Sequence, residues 1–411
     1  MARAKRLHSG AFRTAGVVLG SLLAGSLTGC IGGPDGGARV EKRAAVPETG
    51  TSLPDGPVAS TGSRLGSGAV KVALIVPLSG PGSAVGAAMR NAAELAIEDF
   101  QKPDLQILVK DDRGSPEGAR EAAQSAVADG AELVLGPLFA ANVQSASPVI
   151  RAAGKPLIAF STDAGVAAKG TYLLSFLPQA EVDRAVDEAV ASGRKSFAAM
   201  IPETSYGNAV EAQFREAVAR KGARLVAVER YPAGVPGPAI GRLSGLVTGP
   251  AAQADALFLP DTPEGLAVVA AGLTKAGFSP TRVRPIGTAI WNDPRVYALP
   301  ALQGGWYAAP DAGGFNGFAQ RYQARFGAAP PRVATLAYDA VSLMAALSRQ
   351  YGTQRFADTT LTNPSGFSGI DGTFRFRSDG PSDRSLAVYE IRSGAPAVVS
   401  PAPRTLGPSG T

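Results

Sequence analysis

The chain has 411 residues, a formal net charge of +6 and a hydrophobic fraction of 45%, so it is long and apolar enough to form two lobes with separate cores. Its only histidine is His8 and its only cysteine is Cys30. We expect His8 to be removed with an export signal. The remaining chain then cannot form a Ser-His-Asp triad, a Cys-His pair or a histidine metal site, so we predict no metal, no cofactor and no enzymatic activity.

Residues 1–29 have the features of that export signal. A basic head precedes an apolar run over residues 15–27, which is shorter than a confident membrane span. The run ends in the letters LTGC, which resemble the bacterial lipobox, in which the cysteine becomes the lipidated first residue. We therefore predict a lipoprotein anchored through Cys30. An ordinary signal peptide followed by an incidental cysteine is the alternative.

The segment after the signal predicts a tether. Residues 30–68 are rich in Gly, Pro, Ser and Thr and lack apolar periodicity, so we expect them to be disordered. Removing the signal takes away four basic residues and no acidic one, which lowers the charge from +6 to +2 and argues against a nucleic-acid partner. We expect a periplasmic monomer. Ile31, in place of an Asp that favours inner-membrane retention in enterobacteria, is compatible with an outer-membrane anchor.

From Val70 onwards, apolar strand-like runs alternate with helical stretches. The predicted strands are 70–78, 105–110, 132–136 and 156–160, then 196–201, 225–228, 256–259 and 283–287. The predicted helices between them include 116–128, 140–153, 209–220 and 263–276. Strands that alternate with helices of this length indicate parallel sheets covered on both faces, so we predict an α/β fold with two successive lobes.

The last hundred residues depart from this alternation. Two helices over 314–327 and 333–352 end at glycine, as helices often do. Two strands follow, over 373–377 and 385–391, joined by a polar turn. This pattern indicates that the chain returns to the earlier lobes instead of forming a third one.

The turn after the first strand is rich in glycine. Gly80, Gly82 and Gly86 give the spacing G-x-G-x-x-x-G, one residue longer than the dinucleotide-binding fingerprint. Asp111 and Asp112 follow about where a ribose-binding acid would lie, so an NAD-dependent enzyme is a distant alternative. A tight packing turn is a second interpretation. A helix N-terminus that holds a carboxylate is a third.

Several segments occur in an order that resembles the leucine-binding type of periplasmic binding protein. They are VALIVPLSGPGSAVGAAMRNAAELAIEDF, KDDRGSPEGA, LVLGPLFAANVQSASPVIRAAGKPLIAFST, PETSYGNAVEAQFREAVARKGARLV, LAYDAVSLMAAL and GIDGTFRFRSDG. The resemblance covers about residues 70–395. It implies a type I periplasmic binding protein fold, with two doubly wound parallel-sheet lobes, three crossovers and a ligand cleft between the lobes.

The resemblance also implies how the chain is divided. We expect lobe 1 in 70–178 plus about 311–352, lobe 2 in 179–310 plus about 355–395, crossovers near 177–179, 309–311 and 351–355, and a disordered tail over 396–411. The implied function is capture of a small amino-acid-like solute for an ABC permease. The segments LGPL, LPDTPEG and GTAIWND also resemble lipoproteins that activate penicillin-binding peptidoglycan synthases, so contact with such a synthase is the alternative.

The resemblance assigns ligand contacts in lobe 1 to loops that follow strands. The candidates are Ser79, Gly80, Leu138, Phe139, Ser161 and Thr162. Hydroxyls and loop amides hold a carboxylate without a formal positive charge. Helix capping is the alternative for the hydroxyls. Ala140 lies in a loop where amino-acid binders usually place a serine, which weakens the case for carboxylate capture.

In lobe 2 the resemblance assigns ligand contacts to three residues. Tyr206 stacks on the ligand or closes the cleft, with a core or capping role as the alternative. Asp261 pairs with a ligand ammonium or caps the helix that begins at Pro263. Trp291 lines the cleft or is packed in the core.

Overall fold

A computed structural model describes residues 64–101 and 103–407. The predicted signal, Cys30 and most of the predicted tether therefore lie outside the described residues. The strands are β1 Arg64–Leu65, β2 Val70–Val76, β3 Leu105–Asp111, β4 Leu133–Leu135, β5 Leu157–Ala159, β6 Thr171–Leu173, β7 Ser196–Pro202, β8 Arg224–Tyr231, β9 Ala256–Phe258, β10 Arg284–Gly287, β11 Trp306–Ala309, β12 Phe367–Gly369, β13 Gly372–Phe376, β14 Ser382–Arg384, β15 Ala387–Arg392 and β16 Ala395–Ser400.

The α-helices connect these strands. They are α1 Ser83–Asp99, α2 Pro116–Ala128, α3 Ala140–Ala152, α4 Pro178–Ala191, α5 Ser205–Arg220, α6 Gly237–Val247, α7 Pro263–Lys275, α8 Pro294–Tyr297, α9 Ala312–Phe326, α10 Ala334–Gln350 and α11 Asp358–Leu361. In the part of the chain that the structure describes, no helix is long and apolar enough to cross a membrane.

The first sheet has the strand order β1-β3-β2-β4-β5-β6 and is parallel except for β1. Alternate side chains of β2 enter different cores, because successive residues of a strand point to opposite faces. Leu74 lies in the core beneath α1 and α10, whereas Ile75 lies in the core beneath α2 and α3. Lobe 1 is therefore a sheet with a helical layer on each face, as predicted.

The second sheet has the order β16-β15-β11-β10-β9-β7-β8, with β7 to β11 parallel and β15 and β16 antiparallel at one end. Met200 of β7 packs in the core beneath α6 and α7, and Phe197 packs in the core beneath α4 and α5. The α/β class with parallel-sheet lobes is confirmed.

The third crossover differs from the prediction. The small antiparallel sheet β12-β13-β14 stays with lobe 1, since Phe374 and Phe376 belong to its core and the ring of Phe376 lies 5.4 Å from that of Tyr172. The chain crosses to lobe 2 only after β14, at Ser385–Leu386, and not near 351–355. The predicted hairpin of 373–377 with 385–391 is also wrong, because β13 pairs with β14 while β15 pairs with β11.

Two edge strands lie in segments that the sequence predicts to be disordered. Arg64–Leu65 pairs with β3 at the end of the predicted tether. Ala395–Ser400 pairs with β15 at the start of the predicted tail. β1 is only two residues long, with Leu65 in the lobe 1 core, and β16 is largely exposed, so neither has an apolar pattern long enough to predict a strand.

Candidate ligand-binding cleft

The loops that follow the parallel strands form the candidate site, since ligands of open α/β sheets bind beyond the carboxyl ends of the strands. In lobe 1 these loops follow β2, β4 and β5. In lobe 2 they follow β7, β9 and β10. All sequence-predicted contact residues lie in these loops or at the start of the next helix.

The glycine-rich turn after β2 holds a carboxylate from the protein itself. Asp111 accepts hydrogen bonds from the amides of Leu78 at 2.8 Å and Ser79 at 3.2 Å, and the Ser79 hydroxyl donates to its other oxygen at 2.6 Å. Burial acts to raise the pKa of Asp111, but the bonds from Ser79, Arg113 and Leu78 outweigh it and lower that pKa. The donors expected to bind a ligand anion are therefore already occupied.

Glycine is required in this turn for packing. Gly80 has φ 67°, and a Cβ there would lie 2.5 Å from the carbonyl oxygen of Arg113. Asp112, the other candidate ribose-binding acid, is fully buried and accepts a hydrogen bond from Asn142 at 2.9 Å. The turn thus follows the second interpretation, a tight packing turn, and it holds its own carboxylate.

The loop after β4 leads into a helix whose first turn has no side-chain cap. Phe139 is the N-cap residue of α3 and makes no capping hydrogen bond, and Ala140 has no hydroxyl. Phe139 is 36% exposed, and its ring covers Gly82, where an added Cβ would lie 2.7 Å from the ring. Leu138 packs against the lobe 1 core instead of lying free. The first amides of α3 remain available to an anion.

The two hydroxyls after β5 have different environments. Ser161 is buried, and its oxygen accepts the amide of Asp163 at 3.1 Å, which is a local turn contact. Thr162 is exposed, and its side chain makes no hydrogen bond within the described residues. Of the two, Thr162 is the one with a hydroxyl free to contact a ligand.

In lobe 2, Tyr206 lies beside a buried carboxyl that the sequence analysis missed. The Tyr206 hydroxyl is 2.7 Å from that of Thr288. Glu181, in the first turn of α4, accepts the amide of Ala289 at 2.9 Å. Burial raises the pKa of Glu181 to about 8 in spite of that bond. The sequence shows Glu181 only as an acidic residue near the start of a helix. Such a residue is commonly found there because it interacts favourably with the helix dipole.

Asp261 and Trp291 are buried in the interior of lobe 2 and form hydrogen bonds there. Asp261 is buried, and it accepts the Tyr231 hydroxyl at 2.6 Å and the Thr262 amide at 2.7 Å. Thr262, not Asp261, caps α7 by accepting the amide of Gly265. Trp291 is fully buried and donates to the carbonyl of Leu259 at 2.9 Å. The expectations that Asp261 meets a ligand ammonium and that Trp291 lines the cleft are therefore replaced by packing roles.

The structure leaves a short set of groups available at the strand ends. Thr162 and the first amides of α3 are in lobe 1, and Tyr206 with the Glu181 carboxyl is in lobe 2. Glu181 is 6% exposed, and Thr288 is fully buried and only pairs with the Tyr206 hydroxyl. Within the described ranges, no group of three or more Asp, Glu, Cys or His side chains is arranged to hold a metal ion. The groups at the strand ends are therefore hydrogen-bond donors on lobe 1 and a carboxyl beside a tyrosine on lobe 2.

Comparison with known proteins identifies the class of protein. A family model described as periplasmic binding protein matches residues 69–396. The chain belongs to this family, whose members are extracytoplasmic proteins that bind small ligands. A search of curated proteins found no significant match.

Solved structures of similar fold include ABC-transporter proteins. A protein assigned as a branched-chain amino acid ABC transporter from Rhodospirillum rubrum has a TM-score of 0.72 and 21% identity, covering 80% of this chain and 99% of its own. A Streptococcus pneumoniae branched-chain amino acid binding protein in complex with isoleucine has a TM-score of 0.54 and 19% identity, covering 81% and 99%. A Rhodopseudomonas palustris solute binding protein with 3,4-dihydroxybenzoic acid has a TM-score of 0.58 and 20% identity, covering 81% and 96%.

Proposed function

We propose that the protein binds a small amino-acid-like solute in the cleft between its lobes and serves as the substrate-binding component of an ABC-type amino-acid importer. The observation that carries this proposal is Glu181. It is a buried carboxyl with a single amide donor, and it forms no ion pair within the described residues. A ligand ammonium beside this carboxyl stabilises its ionised form.

The other end of such a ligand fits lobe 1. Thr162 offers a free hydroxyl, and the uncapped first turn of α3 offers amides and a partial positive charge. An α-amino acid carries a carboxylate and an ammonium a few ångströms apart, so it is complementary to donors on one lobe and a carboxyl on the other. A ligand held in this way also favours closure of the cleft, because each lobe binds one end of it.

A thermal-unfolding screen tests the proposal. The chain from residue 30 with Cys30→Ala is screened against amino acids, aromatic acids and peptidoglycan fragments. A ligand at 100 times its Kd stabilises the folded state by about 2.7 kcal/mol, which raises the midpoint clearly. We expect a shift with an amino acid that weakens in Thr162→Ala. Thr353→Ala is the matched control, since Thr353 is also exposed and its side chain makes no hydrogen bond to residues that the structure describes. An equal loss in both variants would contradict the assignment of Thr162.

The second candidate function is activation of a peptidoglycan synthase by surface contact. It is favoured by predicted ligand contacts that the protein itself occupies, since the Ser79 hydroxyl donates to Asp111 and Asp261 accepts the Tyr231 hydroxyl. A screen without any stabilising ligand, together with retention of a peptidoglycan synthase on the immobilised chain, would support this function over transport.

We also propose that the protein is a lipoprotein of the cell envelope, anchored through Cys30. Cells grown with labelled palmitate are expected to yield labelled protein, and Cys30→Ala is expected to abolish the label, because acylation requires the thiol. A label that persists in Cys30→Ala would contradict the anchor. Separation of inner and outer membranes then shows which one carries the labelled protein.

A further inference from the structure

A second concave site lies in lobe 1, at the amino ends of β5 and β6, which is the sheet edge opposite to the cleft. The cavity has a volume of about 650 Å³. Its lining includes Phe356, which is buried in the lobe 1 core, and next to it Ala357 and Pro156. This volume is within the range of small-molecule sites.

Three cationic side chains surround this cavity. Arg151 is in the last turn of α3, Lys155 is in the loop before β5, and Lys169 is in the loop before β6. All three are exposed, and none forms an ion pair with any described residue. Asp358 is the only acidic residue in the lining, and it accepts a hydrogen bond from Tyr172 at 2.9 Å. The lining therefore carries a net charge of 3 − 1 = +2.

The arrangement favours an anion for electrostatic reasons. Like charges around one concave surface repel each other and focus their field into the cavity, so a bound anion relieves the repulsion. The carbonyls at the end of α3 stabilise Arg151, but this does not apply to Lys169, which belongs to a different segment. Two rim glycines, Gly154 and Gly170, have positive φ and open space where a side chain would begin, so neither loop obstructs the mouth.

From this geometry we infer a binding site for a small multivalent anion that carries carboxylate or phosphate groups. The site is distinct from the cleft, and it does not depend on the proposed transport function. The anion contacts Lys155 and Lys169 from the two loops, with Arg151 at the side and the apolar floor beneath. Because Lys155 and Lys169 come from separate loops, replacing both removes a cation from each loop of the rim.

Calorimetric titration with citrate and with inorganic pyrophosphate tests the inference. The chain from residue 30 with Cys30→Ala is compared with the same chain carrying Lys155→Glu and Lys169→Glu. We expect at least one of the two anions to bind, and the double variant to weaken its affinity by on the order of tenfold or more. Lys195→Glu with Lys275→Glu is the control, since it changes the net charge equally at exposed lobe 2 positions. Its affinity is expected to match that of the parent chain.

Folding and the source of the anion are checked separately. In low salt without anion, the Lys155→Glu, Lys169→Glu variant is expected to unfold no earlier than the parent chain, because repulsion around the cavity is relieved. Absence of binding by both free anions overturns the inference, as does equal weakening in the control variant. Vesicles containing an anionic phospholipid are the second arm. Vesicle binding without any response to citrate or pyrophosphate also overturns it, in favour of a membrane surface.

Discussion

Asp371→Ala is expected to destabilise the protein by about 1.5–3 kcal/mol, because it removes the fully buried acceptor of the Thr335 hydroxyl and of the Arg332 guanidinium, which is 26% exposed. Asp371 is fully buried, and it accepts a hydrogen bond from Arg332 at 2.5 Å and another from the Thr335 hydroxyl. Arg384, also buried, donates to the Asp371 carbonyl. The measurement is the free energy of unfolding by chemical denaturation at pH 7.

The Asp371–Arg332 ion pair lies close to the connections between the lobes. Arg332 donates to the carbonyl of Asp311 in the second crossover at 3.1 Å, and its guanidinium lies 6.0 Å from the ring of Phe176 in the first. Arg384 ends β14 just before the third crossover, 5.1 Å from the same ring. This charge cluster thus contacts the first two connections between the lobes and lies next to the third.

We therefore expect Asp371→Ala to weaken ligand-induced closure as well as stability. Small-angle scattering with and without the solute identified in the thermal screen reports closure as a fall in the radius of gyration. The control is Asp255→Ala, which removes the acceptor of the Lys195 and Ser196 amides at the amino end of β7, away from the crossovers. A loss of stability in Asp371→Ala below 1 kcal/mol would contradict the role given to the buried pair.

Most of the fold could be predicted because its central strands are continuous apolar runs. β2 and β7 are buried on both faces, so nearly every residue in them is apolar. The errors lie where pairing, not composition, decides the structure. β14 has the polar sequence Ser-Asp-Arg and joins the small sheet through its hydrogen bonds to β13. Hydrophobic periodicity in the sequence does not reveal this strand pairing.

The sequence predicted where the candidate site lies better than it predicted which side chains can contact a ligand. Ser79, Thr162 and Tyr206 lie at strand ends as expected, since topology alone brings such loops together. Which hydroxyls remain free depends on neighbours that are distant in the sequence. Asp111 lies 32 residues from Ser79, and its carboxylate occupies the Ser79 hydroxyl.

Glu181 was missed for the same reason. The Ala289 amide that it accepts lies 108 residues away, and the Tyr206 ring lies on a different helix. One sequence does not reveal that these three groups converge. It shows an acidic residue in the first turn of α4, a position that acidic residues commonly take without any ligand.

Glu181→Gln is expected to flatten the pH dependence of stability between pH 5 and pH 8.5. The pKa of Glu181 rises from about 4.5 when unfolded to about 8 when folded. Between these values the folded state binds the proton and the unfolded state has released it. Stability from this group is therefore complete below pH 4.5 and is lost as the pH rises through 8. The full effect is on the order of 5 kcal/mol.

The measurement compares the slope of the unfolding free energy against pH in wild type and Glu181→Gln. The comparison is needed because burial also raises the pKa of Asp339 to about 7, which adds a slope of the same sign in both proteins. Glu203→Gln is the matched control, since Glu203 is exposed near the end of β7. Equal slopes in wild type and Glu181→Gln would contradict the buried, proton-binding state of Glu181.

The same ionisation links stability to ligand binding. An ammonium ligand requires the Glu181 carboxylate, so its affinity for wild type is expected to rise by up to about tenfold per pH unit as the pH approaches 8. In Glu181→Gln this pH dependence disappears and affinity is low throughout. A ligand without an ammonium, such as an aromatic acid, is repelled by the Glu181 carboxylate. Its affinity is therefore expected to fall as the pH rises. The sign of the pH dependence therefore distinguishes an amino-acid-like ligand from a simple acid, whichever compound the screen identifies first.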